Sequence, residues 1–450
     1  MNSRENKSVN KLIATLIFYI SLPLVYFDFF EYIWFGKVEA TIRFIISPPA
    51  WGLLISLSSA FLIDKEFRKL LLGKIGILYG SALLLYSLIG WISGNGIDWM
   101  YKEWFVLIYP WLGMAMFFLL SKSYSPKFQL TAYAFFLTYI IYQTFQTTLK
   151  VMLAEGVIST NSGIGIDTRV AGGHMIIITA SLIATGISLV ILCRLGWFLV
   201  IPLLGLVFLQ FYFAGFIGAT RGAFLGVLVV FICSGFGLLF YKVCSRTMVL
   251  NPQPSMSLRL LKFILISFTI FMFIAIIAII FDFDLVQLFR GNLLYERAFT
   301  DQSSGSDNAR IEEAYFVIRN LQDLDFLAGK GLGATFINPI RRGWNVDLEI
   351  NWLHIGPLTF LLKGGLPLFL VVIFFFYIKI PYLYCKALLN PYAFDPKERT
   401  ALLTVLPGVL GWSIWLLTSG GYDTLNFFGL GFGFGAYSHI RKHGLGIFFE

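Results

Sequence analysis

Six arginines and a histidine stand together in an otherwise apolar chain. Residues 282–352 form a polar island that carries Arg290, Arg297, Arg310, Arg319, Arg341 and Arg342. His354 follows where the apolar sequence resumes. The planar guanidinium fork pairs with phosphate or carboxylate through two parallel hydrogen bonds. Histidine is the side chain best suited to accept a proton near neutral pH. These residue types suit binding of an anionic group and deprotonation of a nucleophile beside it. Two further arginines lie outside the island. Arg221 sits in Ala219-Thr220-Arg221-Gly222-Ala223, a connection so short that the side chain lies at or just inside a membrane surface. Insertion scales put the cost of burying it at roughly 2.5–3.5 kcal/mol. Arg169 occurs in Asp167-Thr168-Arg169-Val170-Ala171-Gly172-Gly173-His174. Plainer readings stand beside each. Arg221 can snorkel to the headgroups, Arg169 can pair with Asp167, and His174 and His354 can be interfacial residues that are merely hydrogen-bonded.

The elements that must position these residues are membrane helices. The chain has 450 residues, of which 58% are hydrophobic and 13% charged. Soluble domains carry about 25% charged residues. At about 20 apolar residues per crossing, spans fall near 12–35, 41–63, 70–92, 104–120, 128–152, 174–193, 196–218, 222–241, 260–281, 353–379, 400–418 and 425–440. The expected organisation is helices one to nine over 1–281, a loop domain over 282–352 and helices ten to twelve over 353–450. Gly429, Gly431, Gly433 and Gly435 mark a last helix built for close packing.

Short basic segments occur in the N-terminal tail, 64–69, 121–127, 242–262, 386–399 and the C-terminal tail. With twelve spans these share one side, which the positive-inside rule makes cytoplasmic. Loops 36–40, 93–103, 153–173, 219–221 and 282–352 then lie outside. The net charge of +9 follows from this topology, and no nucleic-acid partner is expected. The N-terminal apolar run is too long for a signal-peptide core and reads as the first membrane helix. Cys193, Cys233, Cys244 and Cys385 lie in or next to apolar spans at no metal-ligand spacing.

Inside the island, Ser306 or Asp307 can cap a helix with Ile311, Ala314, Tyr315, Ile318 and Leu321 as its apolar stripe. Arg310 would then sit beside helix N–H groups that favour an anion. Leu327-Ala328-Gly329-Lys330-Gly331-Leu332-Gly333 reads as a flexible glycine turn. It lacks the strand context and Gly-Lys-Ser/Thr ending of a P-loop. The outer loops offer no tight acidic cluster for a divalent ion; Asp282/Asp284 and Asp323/Asp325 are spaced pairs.

Taken in order, these residues resemble the O-antigen ligase and Wzy-type polymerase family of bacterial polysaccharide enzymes. Arg169 with Gly172 is similar to that family's Arg-x-x-Gly. Thr220-Arg221-Gly222-Ala223 is similar to its Ser/Thr-Arg-Gly-Ala. Ser306-Asp307-Asn308-Ala309-Arg310, then Arg319 and Gly331-Leu332-Gly333, are similar to its outer-loop stretch. His354 precedes Lys363-Gly364-Gly365-Leu366-Pro367 as the family's histidine precedes a Gly-Leu-Pro turn. The large outer loop falls late in a twelve-span layout, as in that family. The match covers roughly 165–380. It departs at Ile355, where the family often has asparagine; Asn351 is a nearby amide.

The resemblance implies an all-helical GT-C-type membrane fold and a metal-independent, inverting glycosyltransferase without a cofactor. Its donor would be a glycan on undecaprenyl pyrophosphate at the periplasmic face of the inner membrane. The acceptor would be a glycan hydroxyl for a polymerase, or lipid A core for a ligase. Arg221 and Arg310 would bind the pyrophosphate with Arg169 and Arg319 assisting, and His354 would be the base. The extra arginines Arg341 and Arg342 tilt the reading towards a polymerase. A flippase for lipid-linked sugars is the alternative of another class, but the chain shows no repeated halves. A serine protease would need Ser419 near His439 or His443, which lie towards the far end of the next helix.

Overall fold

The computed structural model describes residues 2–26, 48–122, 180–188, 200–212, 221–247, 302–337, 349–350, 352–390, 392–419 and 424–443. The described chain is helical apart from one short ladder. The helices are α1 (Asn2–Tyr26), α2 (Pro48–Ile63), α3 (Lys65–Leu71), α4 (Lys74–Ile92), α5 (Ile97–Ser121) and α6 (Val200–Tyr212). They continue as α7 (Arg221–Thr247), α8 (Gln302–Asn320), α9 (Asp323–Ala328), α10 (Gly356–Val372), α11 (Ile380–Leu389), α12 (Pro396–Ser419) and α13 (Thr424–His443). Residues 180–188 are also helical. Strands β1 (Phe336–Ile337) and β2 (Glu349–Ile350) pair antiparallel, with Phe336 opposite Ile350.

Among the described residues, four helices are long and apolar enough to cross a membrane: Lys74–Ile92, Ile97–Ser121, Gly356–Leu389 and Pro396–Thr418. Their apolar character and length make this a membrane-embedded helical protein. The expected spans near 128–152 and 260–281 lie outside the described residues. The fourth expected span starts earlier than the sequence suggests. Only 93–96 is a turn, and α5 is already helical at Ile97.

α4 and α5 differ in where their side chains go. Along α4, Ile77, Leu78, Leu84, Trp91 and Ile92 are exposed, which suits a helix bathed in lipid. α5 is buried from Trp111 to Ser121 and forms the centre of the described bundle. α13 packs along it at close range. A Cβ added to Gly431 would lie 1.8 Å from the Pro110 carbonyl oxygen, and one on Gly113 would lie 2.0 Å from that of Phe428. The glycines of α13 therefore serve packing, as their spacing suggests. α10 kinks at Gly365, whose φ of 64° and ψ of −167° interrupt the helix just before Pro367. It continues through a wide π turn at Ile373–Lys379 into α11.

Contacts sort the connections into two ends. At one end Lys122 pairs with Asp64 at 3.4 Å, Lys442 with Glu66 at 2.7 Å and Arg441 with Glu398 at 3.4 Å. Burial works to raise the Glu66 pKa, but hydrogen bonds from Lys442 and His443 and their charges outweigh it, holding the carboxyl below its ordinary value. At the other end Asn95 meets the segment after α9, donating to the carbonyls of Lys330 and Leu332 at 2.7 and 2.8 Å. α5 runs from one end to the other. Its 25 residues span about 37 Å, more than the hydrocarbon core of a bilayer.

Candidate active site

His354 lies in the connection from β2 into α10. Leu353 before it is fully buried, packed with Val317, Ala334 and Leu362. The Leu353 amide donates to Thr359 Oγ1 at 2.9 Å. Pro357 occupies the first turn of α10, where a missing N–H costs nothing. The root of the imidazole is thus fixed from both sides. The Trp352 ring stands against it, centroid to centroid 5.0 Å.

Glu313 of α8 holds the ring. His354 Nδ1 lies 2.9 Å from Glu313 Oε2, and the His354 backbone N–H donates to the same oxygen at 3.2 Å. A carboxylate only accepts, so Nδ1 carries the proton, and in the neutral imidazole Nε2 has the free lone pair. The His354 side chain is 40% exposed and that of Glu313 is 1% exposed. A buried carboxylate behind a half-open imidazole can orient that ring for proton transfer. Glu313 Oε1 is buried with no hydrogen-bond partner among the described residues. Among the described residues its hydrogen bonds run through Oε2 to His354.

Sequence reading did not single out Glu313, because the apolar stripe it found on α8 is mostly not the buried face. Ala314 and Val317 are buried, whereas Ile311, Tyr315 and Ile318 are 63%, 65% and 42% exposed. The helix also begins earlier than expected. It starts at Gln302, so Ser306 and Asp307 fall inside it rather than at a cap. Arg310 lies in its third turn, where backbone N–H groups are committed to the helix, and no helix-terminus anion site exists there. Arg310 is half-exposed and precedes Glu313 by three residues. At roughly 100° per residue the two lie about 60° apart on one side of α8. Arg319 is exposed in the last turn. It is about 120° round from Glu313 and about 9 Å further along. The structure brings Arg310 to the His354 side of α8 and leaves Arg319 off it. Arg221 is the first residue of α7, and its side chain lies outside the described residues. Arg169, Arg290, Arg297, Arg341, Arg342, His174 and Asn351 also lie outside them.

The glycine segment after α9 is pinned rather than flexible. The amides of Gly329 to Gly333 donate in turn to Asp325 O, Leu362 O, Lys363 O, Tyr86 O and the Glu103 carboxylate, at 2.8–3.0 Å. Five consecutive N–H groups are thereby spent. The segment cannot cradle a phosphate, which needs those groups free. Gly331 has φ of 78°, and a Cβ there would lie 2.0 Å from the Gly90 nitrogen. Only glycine fits that approach.

Glu103 of α5 and Lys363 of α10 form an ion pair under this segment, 0% and 3% exposed. Lys363 also donates to Ala334 O at 3.2 Å. The pair joins two membrane helices to the segment that leads into β1. Sequence reading placed Glu103 in an outer loop and quoted Lys363 without a role. A lysine inside an apolar helix was the available signal, because such a residue needs a partner.

Compared with protein-family models, with curated proteins and with solved structures, this chain matches none.

Proposed function

We propose that this chain is a membrane glycosyltransferase that moves a glycan from undecaprenyl pyrophosphate to an acceptor hydroxyl. The observation that carries the reading is the contact between His354 Nδ1 and the buried Glu313 at one end of a membrane helix bundle. Nε2 of His354 takes the proton of the acceptor hydroxyl. The hydroxyl oxygen bonds to the anomeric carbon as the bond to the pyrophosphate oxygen breaks, inverting that centre. The imidazolium that forms is stabilised by Glu313. The leaving pyrophosphate is stabilised by guanidiniums, for which Arg310 and Arg221 are assigned with Arg169 assisting. Charge stabilisation of this kind requires no metal and no cofactor. Arg319 is assigned to donor binding at a distance from His354, since α8 turns it off that side.

In this reading the fold is GT-C-like with twelve spans. The end with Glu66 and Lys442 faces the cytoplasm of a bacterial inner membrane, and so do both termini. His354 faces the periplasm. Polymerisation of lipid-linked repeat units is preferred over ligation to lipid A core, because the arginine-rich loop can hold a second lipid-linked pyrophosphate.

Proteoliposomes containing the purified chain and only undecaprenyl-pyrophosphate-linked repeats test this. The expected result is a ladder of lengthened glycans from wild type and none from Arg221→Ala at equal protein level. Full elongation by Arg221→Ala would overturn the assignment of that arginine. Transfer seen only after adding lipid A core would make the protein a ligase. No transfer to either acceptor would overturn the enzyme reading.

A further inference from the structure

The end of the bundle opposite His354 holds a second cluster that the proposed transfer chemistry does not use. His439 and His443 lie one turn apart on α13, and Glu66 reaches them from α3. One ligand atom from each lies within 4.8 Å of the others. The sequence reading named the two histidines only in setting aside a protease.

His439 needs an explanation. It is 3% exposed, and both its ring nitrogens are buried without a hydrogen-bond partner among the described residues. Its ring packs against Phe117 at 5.7 Å, Phe118 at 6.2 Å and the His443 ring at 5.1 Å. An apolar side chain would fill that space at lower cost, since an unpaired buried polar atom loses its hydration without compensation. A bound cation would remove one of the two orphans.

We infer that Glu66, His439 and His443 form a site for a divalent transition metal of the zinc class, which ties α13 to α3. Histidines at i and i+4 lie on one helix face, and two imidazoles with one carboxylate are a common ligand set for such ions. Donors around a tetrahedral zinc lie about 3.3 Å apart. His443 Nε2 is already 2.6 Å from Glu66 Oε1. The inferred site closes by side-chain rotation of Glu66 and His443, which are 21% and 34% exposed. Lys442 occupies the same Glu66 oxygen at 2.7 Å, but it is 57% exposed and can turn to solvent. Asp64 stays out of the site, because its carboxylate caps α3 and pairs with Lys122. The fourth position is left to water.

The full chain is purified in detergent with a tag that contains no histidine, stripped with chelator and titrated with Co²⁺, then Zn²⁺. The expected result is a tetrahedral cobalt absorption band that saturates at one ion per chain and is bleached by zinc. The thermal midpoint should rise with zinc. His443→Ala and Glu66→Gln, both at part-exposed positions, should each weaken binding at least about tenfold. A wild-type chain with no band and no thermal shift would overturn the site. Binding undiminished in His443→Ala would also overturn it, placing the ion at His174 or His354.

Discussion

A histidine can act as a base only at a nitrogen that carries no proton. In the proposed reaction the Glu313 carboxylate takes the proton-bearing Nδ1 of His354, and Nε2 is the accepting atom. Glu313→Gln keeps the volume but removes the charge that stabilises the imidazolium. We expect transfer to fall about 10²- to 10⁴-fold, with donor affinity unchanged. Transfer rates and donor binding on the same preparation check this. Arg221→Lys should be as defective as Arg221→Ala, because an ammonium cannot make the two parallel bonds of a guanidinium; a lysine variant with near-normal transfer would show that only charge is needed there. His354 was legible in the sequence as a histidine at an apolar boundary. Glu313 was not. Periodicity finds an apolar stripe on a helix but not its direction. On α8, Ile311, Tyr315 and Ile318 point outward, and the face with Glu313, Ala314 and Val317 turns to the protein. Beside a bilayer the apolar face can be the outer one.

The elements reach the site through one buried ion pair and one glycine segment. Lys363→Met strands the Glu103 carboxylate in the interior. Removing one partner of such a pair costs about 3–5 kcal/mol. We therefore expect Lys363→Met to lower the thermal midpoint in detergent sharply. Glu103→Leu combined with Lys363→Met should recover much of that loss, since an apolar pair avoids the desolvation cost. The double variant still lacks the oxygen that holds the Gly333 amide, so transfer should remain low. Equal midpoints for the single variant and wild type would contradict the role given to the pair. Gly331→Ala should likewise cut stability and transfer together, because its Cβ would meet the Gly90 backbone. The sequence announced this segment through its glycines but suggested mobility. It is held by partners distant in sequence, Leu362 and Lys363 downstream and Tyr86, Asn95 and Glu103 more than 200 residues upstream. No local pattern can show those.

At the scale of the whole molecule, two sets of connections meet at two ends. Among the described residues, Asp64, Glu66, Lys122, Glu398 and the end of α13 share one end through Asp64–Lys122, Glu66–Lys442 and Glu398–Arg441. The turn at 93–96 and the segment after α9 share the other. In the proposed orientation the positive-inside rule puts the basic end in the cytoplasm. A reporter active only outside the cytoplasm should be silent when fused after Lys122 and active when fused within 282–301. The reverse pattern would invert the orientation proposed here.

The central claim is that His354 and Glu313 work as one unit, and a double-mutant cycle on glycan transfer tests it most directly. Wild type, His354→Ala, Glu313→Gln and the double variant are compared in proteoliposomes with lipid-linked repeats, at matched folded protein. Groups that act together lose activity non-additively. The account predicts that His354→Ala alone removes at least about 10²-fold of the rate and that adding Glu313→Gln to it costs little more. Full transfer by His354→Ala, or losses from the two changes that simply multiply, would contradict it.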